Sequence, residues 1–224
     1  AIESFAADVA HELQNPLTSL KSAVEMLTRA KDDASREKMM GIVRNDVKRI
    51  DRLITDISDA SRLDAELSRE HSEPIDITHL LEAIVEVYGF TDLSQRVPME
   101  LNLDLPKDAT VIGRDERIGQ VIRNLIDNAV SFSPDGKPIR ISASSQQGFA
   151  RIVVEDEGPG IPPENLETIF DRFYTERPQE HGFGKNSGLG LSIARQIVLS
   201  TGGRIWAENR ESGGARFIVE LPLA

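Results

Sequence analysis

Two apolar stripes with helical spacing dominate the first 70 residues. The first passes through Ile2, Ala6, Val9, Leu13, Leu17, Leu20, Val24 and Leu27, in steps of 4, 3, 4, 4, 3, 4 and 3. The second passes through Met40, Val43, Val47, Ile50, Ile54 and Ile57, in steps of 3, 4, 3, 4 and 3, which is a heptad seam. Lys31-Asp32-Asp33 breaks the pattern between them, and the whole stretch holds one glycine, Gly41, and one proline, Pro16. That spacing predicts two long helices joined by a short turn and folded back antiparallel. A lone hairpin has too little partner surface to cover both stripes. A second copy would complete a four-helix bundle, so a homodimer is expected.

Residues 68–76, SREHSEPID, are polar and contain a proline, which reads as a linker. The expected division is therefore a helical hairpin over 1–67, a linker over 68–76 and a second domain over 77–224. In that domain helical patterns alternate with β-rich runs. ITHLLEAIVEVYGF, DERIGQVIRNLIDNAVSF and LGLSIARQIVLS read as helices. MELNLDL, IRISAS, ARIVVED, GRIWAEN and ARFIVEL read as strands. The mixture predicts an α/β sandwich, a mixed sheet with helices on one face. Eleven of the 16 glycines fall between Gly148 and Gly214, where glycine-dependent turns would let a ligand approach the backbone.

Composition narrows the partners. A formal net charge of −11 makes the chain a poor wrapper of nucleic acid or coat for an anionic membrane. There is no cysteine, so disulfides and thiolate metal sites are excluded. No run of about 18 apolar residues is present to span a bilayer. The sequence begins without methionine, inside a helical pattern. It is therefore expected to be a fragment whose upstream part is removed.

Four segments of the second domain carry chemistry. In NLIDNA, Asn124 and Asn128 stand four apart on one helix face, where amide oxygens can ligate a hard cation such as Mg²⁺. In VVEDEGPGI a strand ends in Asp156, and Gly158 and Gly160 follow; the carboxylate can accept from an exocyclic amine. IFDRFYT sets Phe170 and Phe173 three apart, a spacing usual in core packing. KNSGLGL puts Gly188 and Gly190 at the start of a helix, whose free N–H groups and dipole suit phosphate.

In this order the four segments resemble the N, G1, F and G2 boxes of the histidine-kinase ATPase family. The resemblance covers 77–224 and implies the Bergerat sandwich shared with DNA gyrase. It implies that ATP and Mg²⁺ bind here, with Asn128 on the metal and Asn124 near phosphates or metal. It also places the adenine amino group on Asp156. Gly158, Gly160, Phe173, Gly188, Leu189 and Gly190 would line the pocket. The polar stretch from Arg172 to Ser187 would form a lid, with Lys185 or Arg177 reaching phosphate. Many relatives carry a basic residue and an aromatic after the N box, where this chain has Ser131 and Phe132.

FAADVAHELQNPLTSL in turn resembles the phosphoacceptor motif of sensor histidine kinases. His11 lies two residues from both Val9 and Leu13, about 200° around a helix from Val9, so it is expected to face solvent. The resemblance makes His11 the nucleophile toward the γ-phosphate, with Glu12 orienting it and taking its proton. It makes Asn15, one turn on, the residue that positions water to hydrolyse an aspartyl phosphate. Gln14 stands where many relatives have lysine or arginine. Pro16 removes the N–H that would bond the Glu12 carbonyl, which predicts a local bend beside the pair. The implied function is a bifunctional sensor histidine kinase core, the resemblance making it the cytoplasmic part of a parent anchored in a bacterial inner membrane through a missing N-terminal region. It would autophosphorylate His11 and serve the receiver domain of a response regulator, as kinase and as phosphatase. A gyrase-type ATP-gated clamp and a catalytically weak scaffold are the competing readings.

Overall fold

In the computed structural model the residues described are 2–30, 32–66, 72–91, 96–174 and 188–224, without the side chains of 2–8, 11, 12, 52, 56 and 59–66. Two long helices come first, α1 (Ile2–Arg29) and α2 (Asp33–Glu66). They pack antiparallel about a turn closed by Asp32, whose carboxylate accepts from the backbone N–H and the hydroxyl of Ser35. α1 runs unbroken through Pro16.

The apolar stripes do not simply face each other. Among the described side chains of the hairpin, Pro16 and Ala23 of α1 and Asp46 and Leu53 of α2 are the buried ones. Val43, Ile50 and Ile57 are half-buried. Leu17 and Val24 remain 51% and 46% exposed, and Met40, Val47 and Ile54 remain 40%, 45% and 52% exposed. A heptad stripe offers two sides, and one partner helix covers only one of them. The Asp46 carboxylate oxygens have no hydrogen-bond partner among the described residues.

After the hairpin come β1 (Glu73–Asp76), α3 (Ile77–Gly89), β2 (Met99–Asp104), β3 (Thr110–Gly113) and α4 (Asp115–Phe132). β4 (Ile139–Gln146), β5 (Phe149–Glu155), α5 (Gly190–Ser200), β6 (Arg204–Asn209) and β7 (Ala215–Pro222) complete the chain. Glu73–Asp76, expected within the linker over 68–76, are instead a strand paired antiparallel with β3. Ile75 explains the difference, because its side chain is buried against the same core as Ile77. Asp76 then caps α3 by accepting from the His79 N–H at 3.0 Å.

The main sheet has the order β2-β4-β5-β7-β6, with β2 parallel to β4 and the other pairs antiparallel. Alternation sets its two faces. Ile139, Ile141, Ala150, Ile152, Val154, Phe217 and Val219 face inward and join the buried faces of α3, α4 and α5 in one core. Ile57 of α2 packs against that core as well. Tyr88 ties α3 to α4 by donating to Asp127 at 2.6 Å, and burial pushes its phenol well above the usual range.

The other face carries charge in register. Glu100, Arg140, Glu155, Arg216 and Glu208 stand side by side across all five strands, with Arg140 on Glu100 at 3.1 Å and Arg216 on Glu155 at 2.9 Å. Four residues further along, Glu220 is gripped by Arg151 at 2.7 Å and Arg204 at 2.6 Å. Val153, Ile218 and Trp206 lie between the two rows. Opposite charges placed directly across strands stabilise a sheet face that no helix covers among the described residues.

Candidate functional site

β5 leaves the sheet at Asp156, which is only 2% exposed. Its N–H donates to the Ala215 carbonyl at 3.0 Å, and its Oδ1 accepts from the Ala215 N–H at 3.2 Å. The same Oδ1 accepts from the Gly158 N–H at 2.8 Å. Both bonds fall on one oxygen, so Oδ2 keeps its acceptor capacity among the described residues. Gly158 passes close to the end of α4, since a Cβ there would stand 2.8 Å from the Phe132 carbonyl oxygen.

Asn124 and Asn128 share one face of α4, as their spacing predicts. They are not equivalent. The Asn124 amide donates to the Gly190 carbonyl at 2.9 Å and so fastens α4 to the start of α5. Asn128 is half-buried one turn further on. Leu189, the N-cap residue of α5, supplies no side-chain cap. Leu189, expected beside the ligand, turns its side chain fully into the core and can contribute only backbone there. An open cleft runs along α4, lined by Glu116, Arg117, Gln120, Arg123, Asn124 and Asp127.

Gly188 and Phe173 meet. The Phe173 N–H donates to the Gly188 carbonyl at 2.9 Å, and a Cβ on Gly188 would fall 2.8 Å from the Phe173 carbonyl carbon. Gly188 has φ +76°, so glycine is required there on two counts. Phe173 itself has φ +62° and packs half-buried on the core, while Phe170 is buried with the Arg195 guanidinium 5.8 Å from its ring centroid.

Arg177 and Lys185 fall in 175–187, outside the described residues. The backbones of His11 and Glu12 lie in α1, but the expected outward turn of His11 concerns a side chain outside the described set. Asn15, one turn on, is exposed.

Sequence reasoning missed Ala215 and Arg210. Arg210 donates from Nη1 to the Asp156 carbonyl at 2.7 Å and pairs through Nε with Glu155 at 3.3 Å. An alanine carries no chemical signal, and an arginine in a β-turn reads as a solvated charge.

Burial raises the Asp156 carboxyl above the ordinary carboxylate range, although the bonds from Gly158 and Ala215 and the charge of Arg210 pull it down. A carboxyl raised in the fold costs nothing below its ordinary value, and the cost grows as pH climbs from there through the raised value. Asp156→Asn keeps the acceptor for both N–H groups and removes the charge. We expect it to melt higher than the parent at pH 7, the gain shrinking as pH falls toward the ordinary carboxylate value of about 4 and vanishing below it. A lower melting temperature at pH 7 would show instead that the charge stabilises the fold.

Comparison with known proteins agrees with this geometry. Residues 1–66 match the His Kinase A (phospho-acceptor) domain, and residues 113–224 match the histidine kinase-, DNA gyrase B- and HSP90-like ATPase. The sensor protein ChvG of Agrobacterium fabrum is 48% identical over 235 residues, covering 100% of this chain and 39% of its own length. The sensor histidine kinase WalK of Bacillus subtilis is 34% identical over 225 residues, covering 97% of this chain and 36% of its own. The chain thus spans about two fifths of such relatives. Among solved structures, the catalytic domain of histidine kinase ThkA is 32% identical, with TM-score 0.59, over 68% of this chain and 96% of that one. ThkA in complex with response regulator protein TrrA matches with TM-score 0.76 at 27% identity, over 99% of this chain and 61% of that one. The chain belongs to the sensor histidine kinases, as a catalytic core in which a phospho-acceptor hairpin precedes the ATPase domain.

Proposed function

We propose that the core binds Mg·ATP at Asp156, transfers the γ-phosphoryl group to His11, and exchanges it with an aspartate on a response-regulator receiver domain. The observation that carries this is the divided Asp156 carboxylate. One oxygen is saturated by backbone N–H groups and the other is left for a donor, as the exocyclic amine of adenine requires. ThkA, a relative in fold and sequence, is known in complex with a response regulator, which supports the partner class.

The residues divide the work. Gly158 brings the loop close to the base, and the N-terminal end of α5, with its dipole, faces the phosphates. An amide oxygen is a neutral ligand, suited to a hard cation that arrives with its phosphates. Asn128, whose side chain is not drawn to Gly190 as that of Asn124 is, would hold Mg²⁺, which neutralises charge on the phosphates. His11 attacks phosphorus in line through one ring nitrogen, and the leaving group is ADP. Glu12 holds the proton on the other nitrogen and takes it up as the phosphoramidate forms. Asn15, exposed one turn away, orients the water that hydrolyses the regulator's aspartyl phosphate.

The exposed stripe Leu17, Val24, Met40, Val47 and Ile54 supports a homodimer, since a second hairpin would bury it. Among the described residues no helix is long and apolar enough to cross a membrane. The membrane anchoring proposed for the parent protein would rest on segments other than these helices.

Three measurements test the reading. Incubation with Mg²⁺ and γ-labelled ATP should give acid-labile, base-stable label that His11→Gln abolishes; label surviving in the variant would remove His11 from the mechanism. Asn15→Ala should slow dephosphorylation of the regulator by about tenfold or more while autophosphorylation stays within about threefold, a rate ratio of the size expected from one positioning group. Equal losses would deny Asn15 a hydrolytic role. Val47→Glu with Ile54→Glu should convert a dimer to a monomer in sedimentation, because two charges cannot enter an apolar seam unpaired; a dimer that persists would place the interface elsewhere.

A further inference from the structure

Loop 156–161 is fastened at both ends by two consecutive residues where β6 ends. At its far end the Asn209 Oδ1 accepts from the Ile161 N–H at 2.7 Å, and its Nδ2 donates to the Ile161 carbonyl at 2.6 Å. A side-chain amide thereby copies one rung of an antiparallel ladder, in which a residue pair exchanges both bonds. At its near end Arg210 donates to the Asp156 carbonyl at 2.7 Å and pairs with Glu155 at 3.3 Å. Gly160, at φ +81°, makes room for the far fastening: a Cβ there would stand 2.8 Å from Asn209 Oδ1.

We propose that Asn209 and Arg210 are positioning residues for base recognition, setting the span of the loop so that Asp156 Oδ2 is aimed at the exocyclic amine. The proposal rests on the reading of Asp156 as the adenine acceptor. Neither residue touches the base. Asn209 acts through Ile161 and Arg210 through the Asp156 carbonyl, one at each end of a six-residue loop. Arg210 is the more buried, with its side chain 12% exposed, and the Glu155 that it pairs with is also held by Arg216 at 2.9 Å. Asn209 is exposed apart from its two bonds, so truncating it opens no cavity.

The test compares autophosphorylation of the full chain against Mg·ATP and Mg·GTP concentration. Guanine carries a carbonyl where adenine carries the amine, so the aim of Asp156 is read directly as the preference for ATP. Asn209→Ala should raise KM for ATP about tenfold, the scale of two lost neutral hydrogen bonds that act through a loop, and narrow the ATP preference by a similar factor. The rate at saturating ATP should stay within about twofold, since the transferring groups are untouched. Asn209→Asp keeps the acceptor and loses the donor; a smaller rise in KM, about threefold, is expected from it. It gives the same reading should the alanine variant melt early. Unchanged KM and base preference in both would overturn the proposal, as would a fall in saturating rate alone. Asp156→Asn run in parallel separates the two ideas. If it loses ATP while Asn209→Ala does not, the fastening fails and the adenine assignment stands. If it leaves KM for ATP unchanged, the adenine assignment fails and the proposal with it.

Discussion

The catalytic domain depends on one exchange between Asp156 and Ala215. Where β5 leaves the sheet, the Asp156 N–H still bonds the Ala215 carbonyl, as the next rung of the β5–β7 ladder would. The returning bond goes to the aspartate side chain instead of a peptide carbonyl. That substitution sets the position of the carboxylate relative to the sheet and starts the loop on its path past Phe132. It also brings the β6–β7 turn against the same carbonyl that Arg210 holds. In a low-dielectric setting such bonds are stronger and unpaired groups cost more, so the carboxylate has little freedom to move.

The helices were legible because their periods run for many residues and because Gly and Pro are nearly absent from the first 70. Which side of each stripe a helix would cover was not legible. Leu17 and Leu13 look alike in a pattern, yet Leu13 is half-buried and Leu17 exposed once the partner helix is in place. The strands of the main sheet were readable by alternation, down to one or two residues at their ends. β1 and β3, four residues each, were too short to show a period. In the site, Asp156 was legible because its glycines follow it directly. The distinction between Asn124 and Asn128 was not, since it arises from a carbonyl 66 residues away. Asn209 was hidden for the same reason: its two bonds reach a residue 48 positions back, and nothing in its own neighbourhood marks it.

The uncovered sheet face shows how a two-layer sandwich tolerates a single layer of helices. The four Glu and four Arg of its two rows together balance although the chain as a whole is strongly acidic. The excess negative charge must therefore lie on helices and loops. Lys137 and Arg140 both reach Glu157 and hold its carboxyl below the usual range, so the first residue after Asp156 is drawn toward the sheet rather than toward a ligand's phosphates.

Trp206 is the chain's one tryptophan and stands between the two charged rows, on the edge strand β6. Arg151 lies 5.5 Å from its ring centroid, and its Nε1 donates to Glu208 at 2.8 Å. It shares β6 with Asn209, three residues along the same strand. Indole emission responds to nearby charge and to the polarity around the ring, and here a single ring is the source. The molecule therefore carries an intrinsic optical probe on the strand that ends at the base-recognition loop, readable without a label and free of overlapping signal from a second indole.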